Sequence, residues 1–131
     1  MTLKINITKK QDGAYVAALS GSIDSDTYTD LELKLKPFFN TSTKVLILNM
    51  EGVSYIASLG IRVILSAKRA VEKGGGVFMM TGLQPQIKKV FDIVHLLPAM
   101  NVFADIEEAD RYFGTIQRRE MEKQKKPTVD G

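Results

Sequence analysis

The sequence has no cysteine and only one histidine, and these shortages exclude several kinds of site. Without cysteine the chain can form neither a disulfide framework nor a thiolate metal site. The histidine, His95, lies in an apolar stretch at the predicted end of a helix. Without a second histidine or a cysteine, it supplies neither a zinc site nor a catalytic triad. We therefore expect no metal and no other cofactor.

Long apolar runs are also missing, since no segment approaches the roughly 20 residues that a membrane-spanning helix needs. Residues 1–10 alternate apolar and polar side chains, a pattern typical of a β-strand and not of a signal peptide. We therefore expect a soluble protein with no membrane partner. A cytoplasmic location is the simplest expectation for a chain without cysteine.

Most of the chain lacks an excess of charge of either sign, so its net charge is close to zero. Residues 1–116 contain 13 Lys and Arg against 12 Asp and Glu, whereas residues 117–131 contain 5 against 3. Nucleic acids are bound by basic side chains gathered on one face, so we expect no direct nucleic-acid contact. We expect one domain over 1–116, followed by a charged tail over 117–131 that extends the last helix and then becomes disordered.

The glycine run and the acidic cluster do not form a phosphate-binding or catalytic set. Gly74-Gly75-Gly76 follows a predicted helix and precedes a strand, the reverse of the order in a phosphate-binding loop. Glu107, Glu108 and Asp110 lie in the first turn of the last predicted helix, where negative side chains interact favourably with the helix dipole. We therefore predict that the protein is not an enzyme.

Strand and helix patterns alternate along the chain and predict an α/β fold. Leu3, Ile5 and Ile7 alternate with polar residues before a turn and a second strand, as in a hairpin. The apolar run 45–48 predicts a central strand buried on both faces, and 77–80 and 102–103 predict two more. Right-handed crossovers then give a mixed, mostly parallel sheet of about five strands with an antiparallel edge. The four predicted helices are Asp24–Pro37, Ser58–Lys73, Pro85–His95 and Asp105–Lys123.

Ser58 stands at the predicted start of the second helix. As an N-cap its hydroxyl would contribute about 1 kcal/mol to stability. The open backbone N–H groups and the helix dipole also favour an anion there, and a phosphoserine would add roughly −1.5 to −2 charge to a nearly neutral surface. From the residues alone, a cap and a phosphorylation site both stay open. The helix that follows has one apolar face, predicted to consist of Ile61, Ile64, Leu65 and Val71.

The segment 48–64, which contains Ser58-Leu59-Gly60-Ile61, resembles the signature of STAS domains, in particular of the bacterial anti-sigma factor antagonists. The segment 19–24 resembles the family's glycine and acidic residue ahead of the first helix, 74–76 its glycine turn, and 85–91 its third helix. The resemblance extends from about Leu3 to Arg111 and implies a STAS-like fold.

The resemblance implies a role in partner-switching signal transduction that regulates transcription. In this family the unphosphorylated antagonist binds an anti-sigma factor that is also a serine kinase, and phosphorylation of a serine ends that binding. Ser58 occupies the place of this serine, and a PPM-type serine phosphatase is a second implied partner. Ala57 stands where the family often has aspartate, Leu59 where it often has serine or threonine, and Arg62 replaces a small residue.

The expected partner-binding residues are Asp24, Ser58, Leu59 and Arg62, all near the start of a predicted helix. Two other functions stay open. The chain could be a STAS scaffold or subunit of a signalling or transport assembly that is never phosphorylated, or a module that binds a nucleotide or small anion at the helix start. The oligomeric state does not follow from these residues.

Overall fold

The computed structural model describes residues 2–114, which form five strands and four α-helices. Short 3₁₀ turns follow α1 and α3, and the last helix, α4, begins at residue 106 and continues to the last described residue. The strands are β1 Leu3–Gln11, β2 Ala14–Ile23, β3 Val45–Ile56, β4 Val77–Thr81 and β5 Asn101–Phe103. The first three helices are α1 Tyr28–Leu35, α2 Ser58–Lys73 and α3 Pro85–Ile93.

The strands lie in the sheet in chain order, from β1 to β5. β1 pairs antiparallel with β2, and every other neighbouring pair is parallel. The two-residue turn at Asp12-Gly13 suits the hairpin, because Gly13 has φ +79° and a glycine accepts this conformation without strain. The predicted α/β class and the mixed sheet with an antiparallel edge are confirmed.

Helices cover both faces of the sheet. On one face α1, α2 and α3 pack on a large apolar core that includes Leu31, Ile64 and Phe91. On the other face α4 covers a smaller cluster around Ile47 and Met79. Residues 45–48 are all buried, which confirms the predicted central strand. Among residues 2–114, no helix has the length and apolarity needed to span a membrane.

Predicted helix boundaries are wrong at both ends of α1 and at the end of α3. α1 ends at Leu35, and the predicted end Pro37 lies in the 3₁₀ turn that follows it. The first helix was expected from Asp24, but α1 begins at Tyr28, because the carboxylate of Asp24 accepts backbone N–H bonds from Asp26 and Thr27 and holds a separate turn. The third helix was expected to reach His95, but α3 ends at Ile93, since His95 has φ 57°, a left-handed conformation that stops a helix. The predicted end of the last helix at Lys123 and the tail 117–131 lie outside the described residues.

Candidate functional site

The parallel pairing of β2 and β3 brings the candidate site residues to one end of the sheet. Ile23 pairs with Ile56 at the carboxyl ends of these strands. Directly beyond this pair, the backbone N–H of Ala57 donates to the carbonyl oxygen of Ile23 at 2.7 Å. Asp24 follows Ile23 and Ser58 follows Ala57, so this hydrogen bond joins the two chain segments on which they lie.

Gly60 fixes how closely α2 approaches the strand ends. A Cβ atom at this buried position would lie 2.5 Å from Cγ2 of Ile23 and 2.9 Å from Cγ1 of Ile56. Both distances are shorter than a carbon–carbon van der Waals contact of about 3.5–4.0 Å, so only glycine lets the first turn of α2 rest on these side chains. The position of Ser58 therefore depends on Gly60.

Ser58 is the first residue of α2 and is not its cap. The N-cap is Ala57, whose extended backbone has φ −95° and ψ 168°, and no side chain caps the helix. The carbonyl oxygen of Ala57 accepts the first helical bond, from Ile61 at 3.1 Å. The predicted capping role of Ser58 is wrong, because the bond to Ile23 makes Ala57 the last extended residue. Ser58 is exposed, and its hydroxyl is not used to close the helix.

Arg62 and Leu59 extend the candidate surface along α2. Arg62 is exposed and follows Ser58 by four residues, so the two side chains are neighbours on one face of the helix. Leu59 is half-buried at the first turn and offers part of its apolar side chain to solvent. The surface therefore combines a hydroxyl, a cation and an apolar group, the mixture that protein interfaces use.

Asp24 lies on the segment that is hydrogen-bonded to the start of α2, but it uses its carboxylate within its own turn. The backbone N–H of Asp26 donates to Oδ1 at 2.9 Å, and that of Thr27 donates to it at 3.1 Å. The bond from Asp26, reinforced by that from Thr27, lowers the pKa of Asp24 from its ordinary value. Asp24 is thus held ionised in a fixed turn beside α2.

Two residues near the site were missed from the sequence. Thr27 is buried and donates its hydroxyl to the carbonyl oxygen of Ser22 at 2.7 Å, so it anchors the Asp24 turn to β2. The threonine three residues after Asp24 is the signal that could have shown this turn. Tyr55 is 49% exposed on the last part of β3, three residues before Ser58 in the chain, and an exposed aromatic ring is a natural anchor for a protein partner.

We call Asp24, Tyr55, Ser58, Leu59 and Arg62 the α2-start surface. Its groups are a hydroxyl, a carboxylate, a guanidinium and two side chains with apolar area, all at the carboxyl ends of β2 and β3. Within residues 2–114, no group of three histidine, aspartate or glutamate side chains is placed to hold a metal ion. The arrangement suits recognition of a protein surface.

The chain is similar to known regulatory proteins. Residues 6–109 match the STAS domain family. The anti-sigma-B factor antagonist of Staphylococcus aureus (strain NCTC 8325 / PS 47) is 29% identical over 101 residues, which are 76% of this chain and 94% of that protein.

Two solved structures of SpoIIAA have the same fold. The anti-sigma factor antagonist SpoIIAA in its unphosphorylated form is 26% identical, with a TM-score of 0.73 over 85% of this chain and 97% of that one. The Bacillus cell fate determinant SpoIIAA in its phosphorylated form is 25% identical, with a TM-score of 0.67 over 83% and 99%. The family match covers the α2 start and most of the sheet, and the protein belongs to the STAS domain family.

Proposed function

We propose that this protein is an anti-sigma factor antagonist whose partner is an anti-sigma factor that is also a serine kinase. Unphosphorylated Ser58 permits this binding, and phosphorylation of Ser58 ends it. The observation that carries the proposal is the exposed Ser58 hydroxyl at the first position of α2, which has no capping role. The names of the relatives, and the phosphorylated form of SpoIIAA, support the same function.

The start of α2 is electrostatically suited to a phosphate. The backbone N–H groups of residues 58–60 precede the first helical hydrogen bond and have no partner within the helix. These groups and the positive end of the helix dipole favour an anion, and Arg62 places a cation one turn away. A phosphate on Ser58 is therefore compatible with the folded domain.

The same phosphate would change what a partner meets. Phosphorylation adds roughly −1.5 to −2 charge at the centre of the α2-start surface. A partner that packs against Leu59 and Tyr55 would have to desolvate this charge, and an acidic partner would be repelled. Phosphorylation of Ser58 is thus expected to end partner binding while the domain stays folded. The protein would then act as a phosphorylation-controlled switch and would itself catalyse no reaction.

Ala57 sets a condition on the kinase. The resemblance implies that the family often has an aspartate, and hence a negative charge, next to the acceptor serine, whereas this chain has the methyl group of Ala57 at an extended N-cap. The cognate kinase must therefore recognise the loop through other features, such as Tyr55 and Arg62. A kinase that depends on the aspartate is expected to leave this protein unmodified.

The first experiment mixes the purified protein with each candidate anti-sigma factor kinase of its genome and Mg-ATP, and records the intact mass. We expect the gain of one phosphate, its loss in Ser58→Ala, and its retention in the matched control Ser66→Ala, an exposed serine of the same helix. Addition of a PPM-type phosphatase should remove it. No phosphate with any kinase would instead favour a scaffold or subunit that is never phosphorylated.

A further inference from the structure

The outer edge of the sheet at β1 has no neighbouring strand within residues 2–114. β1 is the first strand in the sheet order and pairs only with β2. It is nine residues long, whereas β5, the strand at the opposite edge, has three residues. Proteins usually keep edge strands short or cover them, because their free backbone groups readily pair with another chain. The long edge at β1 is therefore a candidate interface.

The free backbone groups of β1 belong to Leu3, Ile5 and Ile7. The backbone N–H of Ser22 donates to the carbonyl oxygen of Thr2 at 3.1 Å, so these two residues form a hydrogen-bonded pair of the antiparallel ladder. Such pairs recur at every second residue, and the β1 residues between them direct their N–H and C=O groups away from β2. The same three residues have half-buried apolar side chains that pack on the core under α1.

A groove of about 480 Å³ lies between β1 and α1 beside this edge. We call it the β1-edge groove, and it is lined by Leu3, Ile5, Asp30, Leu33 and Lys34. Leu33 is 67% exposed, more than any other large apolar side chain of residues 2–114. An apolar side chain with this exposure, next to an apolar groove and an open strand edge, indicates a surface that another molecule covers.

The charges of the β1-edge groove are complementary to themselves. Asp30 and Lys34 are exposed on α1, four residues apart, and neither forms an ion pair within residues 2–114. A symmetric dimer uses the same surface on both copies, and a two-fold axis perpendicular to β1 sets the two α1 helices antiparallel. Asp30 of each copy then faces Lys34 of the other. A groove with one carboxylate and one ammonium group fits a second copy better than it fits an acidic or a basic partner.

We propose that β1 pairs with β1 of a second copy of this chain and joins the two sheets into one. The strands run antiparallel about an axis at Ile5, so Ile5 faces its counterpart and Leu3 faces Ile7 of the other copy. Leu33 of each copy is covered where the two grooves meet. No residue of the α2-start surface lines the β1-edge groove, so dimerisation does not use Ser58.

The first test measures the weight-average mass of the full chain by sedimentation equilibrium at increasing protein concentration. We expect the mass to rise from that of one chain toward that of two. Leu33→Glu should weaken dimerisation at least about tenfold, because it places a carboxylate in the apolar contact. Ile93→Glu on α3 is the matched control, since Ile93 is 65% exposed and lies outside the groove. A monomer at every concentration, or equal weakening in the two folded variants, would overturn the proposal.

Exchange of charges distinguishes a second copy from any other occupant of the groove. Asp30→Lys and Lys34→Asp each bring like charges together in their own dimers, so each variant alone should dimerise more weakly than wild type. An equimolar mixture of the two should dimerise more tightly than either alone, because the mixed dimer has two pairs of opposite charge. Glu32→Lys, an exposed position of α1 outside the groove, should give no such gain when mixed with Lys34→Asp. No gain with Asp30→Lys would show that a second copy does not occupy the groove.

Hydrogen exchange followed by NMR tests the strand pairing itself. The backbone amides of Ile5 and Ile7 should exchange at least about tenfold more slowly in the wild-type dimer than in Leu33→Glu, because only the dimer gives them acceptors. The amide of Lys4, which points toward β2 in both states, is the internal control. A dimer in which the amides of Ile5 and Ile7 exchange as fast as in Leu33→Glu would contradict pairing through β1.

Discussion

The N-termini of α2 and α4 have similar positions in the fold but are capped differently. Each helix begins just beyond the carboxyl end of a strand. At α4 the carboxylate of Asp105 accepts the backbone N–H of Glu108, and the carboxylate of Glu108 accepts the backbone N–H of Ala104 in a weak bond of 3.4 Å. Side chains therefore cap the start of this helix. At α2 the cap is Ala57, with no side-chain bond. At the N-terminus of α4 a carboxylate already interacts with the helix dipole, whereas the N-terminus of α2 is open to an anion.

This difference separates a structural helix start from one that can act as a switch. A phosphate near the first turn of α4 would meet Asp105 and two glutamates, and would be repelled. A phosphate on Ser58 meets open backbone amides and Arg62. The absence of a capping side chain at α2 is thus consistent with a serine kept free for modification.

The largest effect is expected at the glycine that positions the α2 start. Gly60→Val should lower the free energy of unfolding by about 3 kcal/mol, because its Cβ and methyl groups overlap Ile23 and Ile56. Urea denaturation gives the value, and Ser66→Val on the exposed face of α2 should cost less than about 1 kcal/mol. Equal losses in the two variants would show that α2 does not need this close contact.

Removing the side-chain cap of α4 should lower the stability of the protein, and adding a side-chain cap to α2 should raise it. Asp105→Ala removes the side-chain cap of α4 and should cost about 1 kcal/mol. Ala57→Ser supplies a cap to α2 at a residue that already has extended backbone, and should add about the same amount. Thermal unfolding of both variants checks the pair. A loss of stability in Ala57→Ser would contradict the assignment of Ala57 as an open cap.

The Asp24 turn should weaken in acid. Its folded-state pKa is lowered by the bonds from Asp26 and Thr27, so its stabilising effect is present above the unfolded pKa of about 3.9 and is lost as the pH falls through the folded pKa. Asp24→Asn should therefore be less stable than wild type at neutral pH, and the difference should shrink as the pH falls through the folded-state pKa. Asp26→Asn is the control, and a difference that stays the same in acid would argue against this role.

The smallest effect concerns Arg62. Once Ser58 is phosphorylated, a pair with Arg62 one turn away should stabilise the protein by about 0.3 kcal/mol, as other exposed pairs at this spacing do. The measurement compares the melting temperatures of phosphorylated and unphosphorylated forms in wild type and Arg62→Gln. Arg69→Gln, also exposed on α2, should leave the difference unchanged. An equal difference in all three proteins would remove Arg62 from the phosphate site.

The fold could largely be predicted from periodicity, because long-range packing agrees with the local pattern. α2 has the predicted bounds Ser58–Lys73, and the run 45–48 is the buried strand. The buried face of α2 was predicted less well: Ile61 and Leu65 are half-buried, whereas the small residues Gly60 and Ala67 face the core. Hydrophobic spacing does not reveal that a helix lies close enough to the sheet to require small side chains.

The finer features of the two helix starts could not be predicted, since they depend on contacts between distant parts of the chain. Ala57 became the cap of α2 because its N–H bonds to Ile23 of another strand. Within residues 2–114 the buried Thr81 hydroxyl has no hydrogen-bond partner, and the sequence does not reveal this, because there Thr81 is one more β-branched residue at the end of a strand. Asp24, Ser58, Leu59 and Arg62 were identified from the sequence, but their roles as partner contacts remain predictions.

The central claim is that a phosphate on Ser58 ends partner binding without unfolding the domain. The most direct measurement is the affinity of the anti-sigma factor kinase for the unphosphorylated protein, the phosphorylated protein and Ser58→Asp, each checked for folding by circular dichroism. We predict a loss of about 100-fold or more in the phosphorylated form, a large loss in Ser58→Asp, and wild-type binding by Ser58→Ala. Equal affinity of the phosphorylated and unphosphorylated forms would contradict the claim.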